Sequence, residues 1–291
     1  MRIALGQLDM VWENADASID RAETLIKQAA EAAAECIIFP EMSFTGVTLN
    51  TAKVAEDPKD SRTVQRMKEL AKSYNLAIGF GWAASPEGEE KLVTNRFTLL
   101  DKEGTVVGEY KKMHPFTYGG ESDCYAKGNE IVTVPFLGRK IALFICYDLR
   151  FPEIFQIAAR EADVLLVIAN WPQIRREHWQ TLLRARAIET QSYVVGVNCV
   201  GMHDGCAYSG DSMAVDSIGN ILGMLSGREG ILVCDLDDRA WSLRHKFSTR
   251  ADRREDLYRT YFALNNLGRN TYKSLCHYRR WKVNIIFIDF F

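Results

Sequence analysis

Short apolar runs recur along the chain with polar turns between them, and three longer stretches carry helical spacing instead. The short runs predict strands at 3–8, 36–39, 76–81, 92–100, 105–110, 131–135, 140–145, 164–169, 193–198, 212–216 and 230–235. Residues 15–34 predict an alanine-rich amphipathic helix, with Asn14 or Asp16 as its cap. Residues 61–74 predict a second helix, burying Val64, Met67, Leu70 and Ala71. A third, at 176–192, turns Trp179, Leu182, Leu183, Ala185 and Ile188 inward, and Pro152 opens a shorter one. Asp101-Lys102-Glu103-Gly104 marks a hairpin, and a second hairpin falls near residue 218. Residues 113–130 form a polar, glycine-rich loop.

Strands and helices alternate without a linker or repeat, so the pattern predicts one α/β domain. Its hairpins require antiparallel pairs, which excludes a purely parallel sheet. The domain runs from 1 to 258. The tail, 259–291, is aromatic and basic, and its last apolar run is too short to cross a bilayer. That run needs a surface to pack on. The first residues read as a strand rather than a signal peptide, because the apolar stretch after Arg2 is too short.

The chain has 291 residues, enough for a large core, and a formal net charge of −2. That charge gives no reason to expect nucleic acid or an anionic membrane as partner. Its seven cysteines are scattered and mostly sit inside apolar runs. This predicts small buried thiols in a reducing cytoplasm, not a disulfide framework. No cysteine or histidine spacing suits zinc, so no metal site is expected.

One cysteine differs from the rest. In Leu143-Phe144-Ile145-Cys146-Tyr147-Asp148-Leu149-Arg150-Phe151-Pro152-Glu153, an apolar strand stops at Cys146 and a charged turn follows. A thiol there sits at a strand tip, where α/β sheets carry their sites. A thiol needs a base or a cation to react. Glu41 ends another apolar run, after a proline that stops pairing. To act as base it needs a half-buried place that lifts its pKa. Lys112 stands at the tip of a third strand. Alternation points it with Tyr110 and away from Lys111, so it can stabilise a thiolate and then an oxyanion. His114 has a plainer role as a hydrogen-bonding loop residue, and Cys36, Cys199 and Cys234 as core thiols.

The stretches Phe39-Pro40-Glu41, Tyr110-Lys111-Lys112-Met113-His114-Pro115-Phe116 and Cys146-Tyr147-Asp148-Leu149-Arg150-Phe151-Pro152-Glu153, in this order, closely resemble the nitrilase superfamily of carbon–nitrogen hydrolases. The resemblance covers residues 1–258. It implies Glu41 as general base, Lys112 as support for the tetrahedral intermediate and Cys146 as nucleophile. It further implies that Glu121 orients lysine and substrate, and that the Tyr147 N–H shares the oxyanion hole. The implied fold is a four-layer α-β-β-α sandwich with mixed sheets that dimerises into an eight-layer stack. The implied partners are a small-molecule amide and a second copy of the chain, with no cofactor.

Cys146-Tyr147-Asp148 departs from the Cys-Trp-Glu of true nitrilases. Asn170-Trp171-Pro172 and the stretch 183–189 resemble bacterial omega-amidases, which release ammonia from dicarboxylate monoamides such as 2-oxoglutaramate. The far carboxylate of such a substrate needs a cation. Arg175 and Arg176 are candidates, against an equal claim as solvated helix-start charges. Trp171, Phe44 and Tyr118 are candidate pocket walls. Arg184, Arg186 and Glu189 read as structural ion pairs, and Glu153 as a brace for the nucleophile turn. Two alternatives stay open. One is the same chemistry on deaminated glutathione, an aliphatic amide or an N-carbamoyl compound. The other is a catalytically silent binding module.

Overall fold

The computed structural model describes residues 1–267. The chain divides into two compact units, Met1–Phe247 and one that begins at Ser248. The strands, in chain order, are β1 (Arg2–Gln7), β2 (Cys36–Ile38), β3 (Ala77–Ala84), β4 (Thr94–Leu100), β5 (Val106–Lys111), β6 (Thr133–Phe136), β7 (Arg139–Ile145), β8 (Val164–Ala169), β9 (Tyr193–Asn198), β10 (Val200–His203), β11 (Cys206–Val215), β12 (Ile221–Ser226) and β13 (Gly230–Asp235). The helices are α1 (Ala15–Glu31), α2 (Thr51–Val54), α3 (Arg62–Tyr74), α4 (Glu121–Cys124), α5 (Pro152–Ala158), α6 (Arg176–Thr190), α7 (Arg239–Lys246) and α8 (Glu255–Leu267). The second unit contains α8, whose start carries the close pairs Arg253–Glu255 and Arg254–Asp256. Of the expected tail at 259–291, residues 268–291, with Cys276 and the apolar run 283–291, lie outside the described residues.

Two mixed sheets form the first unit. One has the order β13-β1-β2-β3-β4-β5 and the other β10-β11-β9-β8-β7-β6, with β12 paired to β11. β1, β2 and β3 run parallel, as do β7, β8 and β9, and hairpin partners flank both trios. The inner faces pack on each other: Ile3, Leu5 and Ile38 of the first sheet share a core with Leu143, Leu166 and Val195 of the second. The outer face of the first sheet, including Ala4, Ile37 and Ile78, lies under α1 and α3. The outer face of the second, including Phe144, Val167 and Val194, lies under α5 and α6. The result is the four-layer α-β-β-α sandwich. Strands buried on both faces have no polar side to show, which is why they read as unbroken apolar runs.

Local chemistry sets the element ends. Asn14 caps α1 by accepting from Ala17 N, and Ser61 caps α3 by accepting from Val64 N. Helix α1 stops at Glu31, earlier than its composition predicts, because Ala33 turns to φ +56°. The buried side of α6 is rotated from the expected one. Ile188 is half exposed, while Arg186 is buried and donates twice to the Leu149 carbonyl. A guanidinium with a carbonyl and Glu189 as partners can occupy an inward position. Strands β10 and β12 are additions to the predicted set.

Candidate active site

Four strand ends converge. Glu41 follows β2, Lys112 follows β5, Cys146 follows β7 and Asn170 follows β8, so both sheets contribute. Two tight approaches hold the first pair. A Cβ on Gly81 would lie 2.4 Å from Met42 N and 2.9 Å from Glu41 Cα, so only glycine lets β3 pass this close to Glu41. A Cβ on Gly128 would lie 2.1 Å from the Lys111 carbonyl oxygen. Lys112 is further fixed by its own N–H donating to Asn95 O and by Gly128 N donating to its carbonyl, each at 2.8 Å. Cys146 itself adopts φ +48°. A non-glycine residue held there costs about 1–3 kcal/mol and persists only where its surroundings over-determine it.

Glu41, Lys112 and Glu121 form a buried cluster. Lys112 Nζ donates to Glu41 Oε1 at 2.7 Å and to both Glu121 oxygens at 2.8 Å. Asn95 Nδ2 donates to Glu41 Oε1 at 2.7 Å and reaches Glu121 Oε1 at 3.4 Å. Asn170 N donates to Glu41 Oε2 at 2.9 Å, and Phe116 N to Glu121 Oε2 at 2.7 Å. Burial alone would discharge Lys112, but Glu41 and Glu121 outweigh it and hold its pKa well above the ordinary lysine value. The cysteine moves the same way for a different reason. Burial and then the Glu41 charge push its thiol well above the usual range, and Lys112 opposes them only in part. Lys112 is thus shared between two carboxylates, and its charge offsets only part of what raises the thiol.

Cys146, Glu41, Lys112 and Glu121 border one cavity of about 440 Å³. Tyr147, Trp171 and Arg175 also line it, as the sequence predicts. Phe44 does not. Its ring is buried beneath the first sheet, with centroids 6.0 Å from those of Phe39 and Phe80. Past Pro40 the strand pleat no longer governs which way a side chain faces. Tyr118 is also outside the lining; it is 79% exposed and leans on Phe116, which takes the wall position instead. Arg176 turns from the cavity to pair with buried Asp211 at 2.9 Å. Glu153 is exposed on the first turn of α5. His114 bonds not within its loop but to Asp148, at 2.7 Å.

Several lining or supporting residues were not foreseen. Asn95, Asn170, Phe116 and Tyr208 are among them, and so is Arg150, which lies 4.8 Å over the Trp171 ring. Burial and the nearby Arg175 charge lower the Arg150 pKa. Two guanidiniums thus face one cavity without a carboxylate ion-pair partner among the described residues. For Arg150 the signal was present, four residues after Cys146 in the same motif. Among the described residues no group of histidine, cysteine or carboxylate side chains is arranged to hold a metal ion, and no helix is long and apolar enough to cross a membrane.

The carbon–nitrogen hydrolase family profile matches residues 2–245. The chain belongs to this family. It is 35% identical to the omega-amidase YafV of Yersinia enterocolitica over 223 residues, 76% of this chain and 83% of that protein. It is 33% identical to the 2-oxoglutaramate amidase of Bacillus subtilis over 256 residues, 87% of this chain and 97% of that one. Its fold is similar to that of a CN-hydrolase superfamily protein from Xanthomonas campestris with an arsenic adduct in its active site. That match has a TM-score of 0.81 and 30% identity, and covers 87% of this chain and 97% of the other. It is also similar to a mutant of the amidase from Nesterenkonia sp. AN1 that shows the result of Michael addition of acrylamide at the active-site cysteine. There the TM-score is 0.80 at 26% identity, over 90% and 99% of the two chains. The present chain is accordingly an amide-hydrolysing enzyme of the nitrilase superfamily.

Proposed function

We propose that this enzyme is an omega-amidase: it removes ammonia from the terminal amide of a small dicarboxylate monoamide, with 2-oxoglutaramate as the representative substrate. The observation that carries the reading is the pairing of Arg150 and Arg175 in the cavity that also holds Cys146. Two guanidiniums with no carboxylate of their own suit an anionic substrate group, and hydrogen bonds to a charged partner contribute about 1.5–3 kcal/mol each. The omega-amidase and 2-oxoglutaramate amidase relatives support the same substrate class.

The chemistry follows from the cluster. Glu41 takes the Cys146 proton as sulfur attacks the amide carbon. The carbonyl oxygen becomes an oxyanion, held by Lys112 and the Tyr147 N–H. The C–N bond breaks, and Glu41 passes the proton to the departing nitrogen, which leaves as ammonia. Water then attacks the thioester and gives its proton to Glu41. The C–S bond breaks, the carboxylate product forms and the thiol recovers its proton. Glu121 keeps Lys112 charged and aimed, and Trp171 forms the pocket wall. We further propose a homodimer, supported by the half-exposed Ile157 and Ile188 on outer helices α5 and α6. The free thiols Cys36 and Cys199, both buried, support a cytoplasmic setting.

The test compares ammonia release from 2-oxoglutaramate, deaminated glutathione and butyramide in the wild type and in Arg150→Leu and Arg175→Leu. The variants are expected to lose about 10–100-fold in kcat/KM on 2-oxoglutaramate and less than about threefold on butyramide. Equal losses on both amides, or a wild-type preference for butyramide, would overturn the substrate assignment.

A further inference from the structure

Asp148 is fully buried, two residues past the nucleophile, and has no place in the reaction above. Its carboxylate nevertheless takes four hydrogen bonds. Oδ2 accepts from Tyr110 OH at 2.8 Å and from Ile145 N at 3.0 Å. Oδ1 accepts from His114 N at 3.0 Å and meets His114 Nδ1 at 2.7 Å. Ile145 is the residue before Cys146. Tyr110 and His114 stand two places before and two places after Lys112. The phenol also accepts from Met113 N at 3.2 Å, which fixes the chain just beyond Lys112. The His114 ring stacks on Phe151 at 3.9 Å and covers the arrangement from outside. One side chain therefore joins the lysine-bearing end of β5 to the cysteine-bearing end of β7, and these ends belong to different sheets.

We propose that Asp148 is a positioning residue that locks the Cys146 turn to the Lys112 strand end, with Tyr110 and His114 as its two arms. The left-handed backbone at Cys146 needs such an over-determined setting, and the Ile145 N–H bond supplies it directly. Only a carboxylate of this length offers acceptors to all four donors. An asparagine would turn an N–H group toward two of them. Burial and then the Asp148 charge keep the Tyr110 phenol protonated and able to donate. The lock accounts for the joint presence of tyrosine and histidine around the lysine and of aspartate after the cysteine, which the catalytic steps leave unexplained.

The proposal rests on the amidase reading only where turnover is measured. In ammonia release, Asp148→Asn is expected to lose at least about 100-fold in kcat with KM within about threefold, as for a displaced reacting group. Tyr110→Phe and His114→Gln are expected to lose several-fold in kcat, again with little change in KM. The Asp148→Asn/Tyr110→Phe double variant should be no worse than Asp148→Asn alone. A second readout needs no amide. The midpoint of Cys146 alkylation by iodoacetamide against pH should fall toward the ordinary thiol value in all three single variants, as the sulfur leaves Glu41 and water enters. Should Asp148→Asn not fold, Tyr110→Phe and His114→Gln decide by the same two readouts. Unchanged kcat and an unchanged alkylation midpoint in folded variants would overturn the proposal, as would losses that multiply in the double variant. Absence of wild-type turnover on every amide counts against the function, and the alkylation midpoint then tests the lock by itself.

Discussion

Alanine at position 81 adds one methyl group against the backbone of Glu41 and Met42, and the structure assigns it a large catalytic cost. The new Cβ would stand 2.4 Å from Met42 N and 2.9 Å from both Glu41 Cα and its carbonyl carbon, where contacts under 3.4 Å are already tight. The neighbours are backbone, so no side chain can swing aside. Retreat of β3 is resisted as well: Ser43 N donates to Gly81 O and Gly81 N donates to Ser43 Oγ, each at 2.9 Å. The segment carrying Glu41 must therefore shift, by about 0.5–1 Å, a displacement that costs about 100-fold in rate at a reacting centre. That loss equals about 2.7 kcal/mol of transition-state stabilisation. Overpacking should also cost about 1–3 kcal/mol of stability, read as about 2–4 °C of Tm for each kcal/mol. Ammonia-release kinetics and a thermal scan on Gly81→Ala measure both quantities. A folded variant with kcat within twofold of wild type would refute the claim that the β3 approach sets the place of Glu41.

The charge cluster makes further predictions. Lys112→Met leaves Glu41 and Glu121 facing each other without a cation, so turnover should fall at least about 100-fold and stability at neutral pH by about 3–5 kcal/mol. Lowering the pH should shrink that stability loss, as one carboxylate takes a proton; denaturant titrations at several pH values check this. In the wild type the folded lysine pKa is raised. Its contribution should therefore be fully present below the unfolded lysine value, about 10.4, and be lost only as pH rises through the higher folded one. Alkylation of wild-type Cys146 should keep accelerating above pH of about 8.5, the ordinary thiol value. Glu41→Gln removes the charge that holds the thiol up, so its alkylation midpoint should fall while turnover is lost; a midpoint that rises instead would contradict the assigned electrostatics.

What the sequence made visible follows from burial. Strands such as β7 and β8 are covered on both faces and read as apolar runs, so the tips where Cys146 and Asn170 sit were easy to locate. Strand β12 is an edge with Ile221 and Met224 exposed, and β10 is only four residues long, so neither stood out. Glu41 was legible because it follows the apolar run of β2, and Lys112 because strand alternation sets it apart from Lys111. Asn95 was not, since its partner Glu41 is 54 residues away and a polar residue inside a strand gives no hint of it. The direction of a side chain beyond a strand end was equally hidden. Phe44 entered the core and Tyr118 the solvent, whereas Arg150, on the charged turn after Cys146, reached the cavity. The positive φ at Cys146 and the four bonds on Asp148 depend on two sheets meeting, which no local pattern encodes.

The most direct test of the account is mass spectrometry of the Cys146 peptide after rapid acid quench of enzyme turning over a dicarboxylate monoamide. A transient mass increase equal to the acyl group, present on that peptide and absent in Cys146→Ala together with all ammonia release, is the predicted result. Ammonia release that persists in Cys146→Ala, or an acyl group found on another residue, would contradict it.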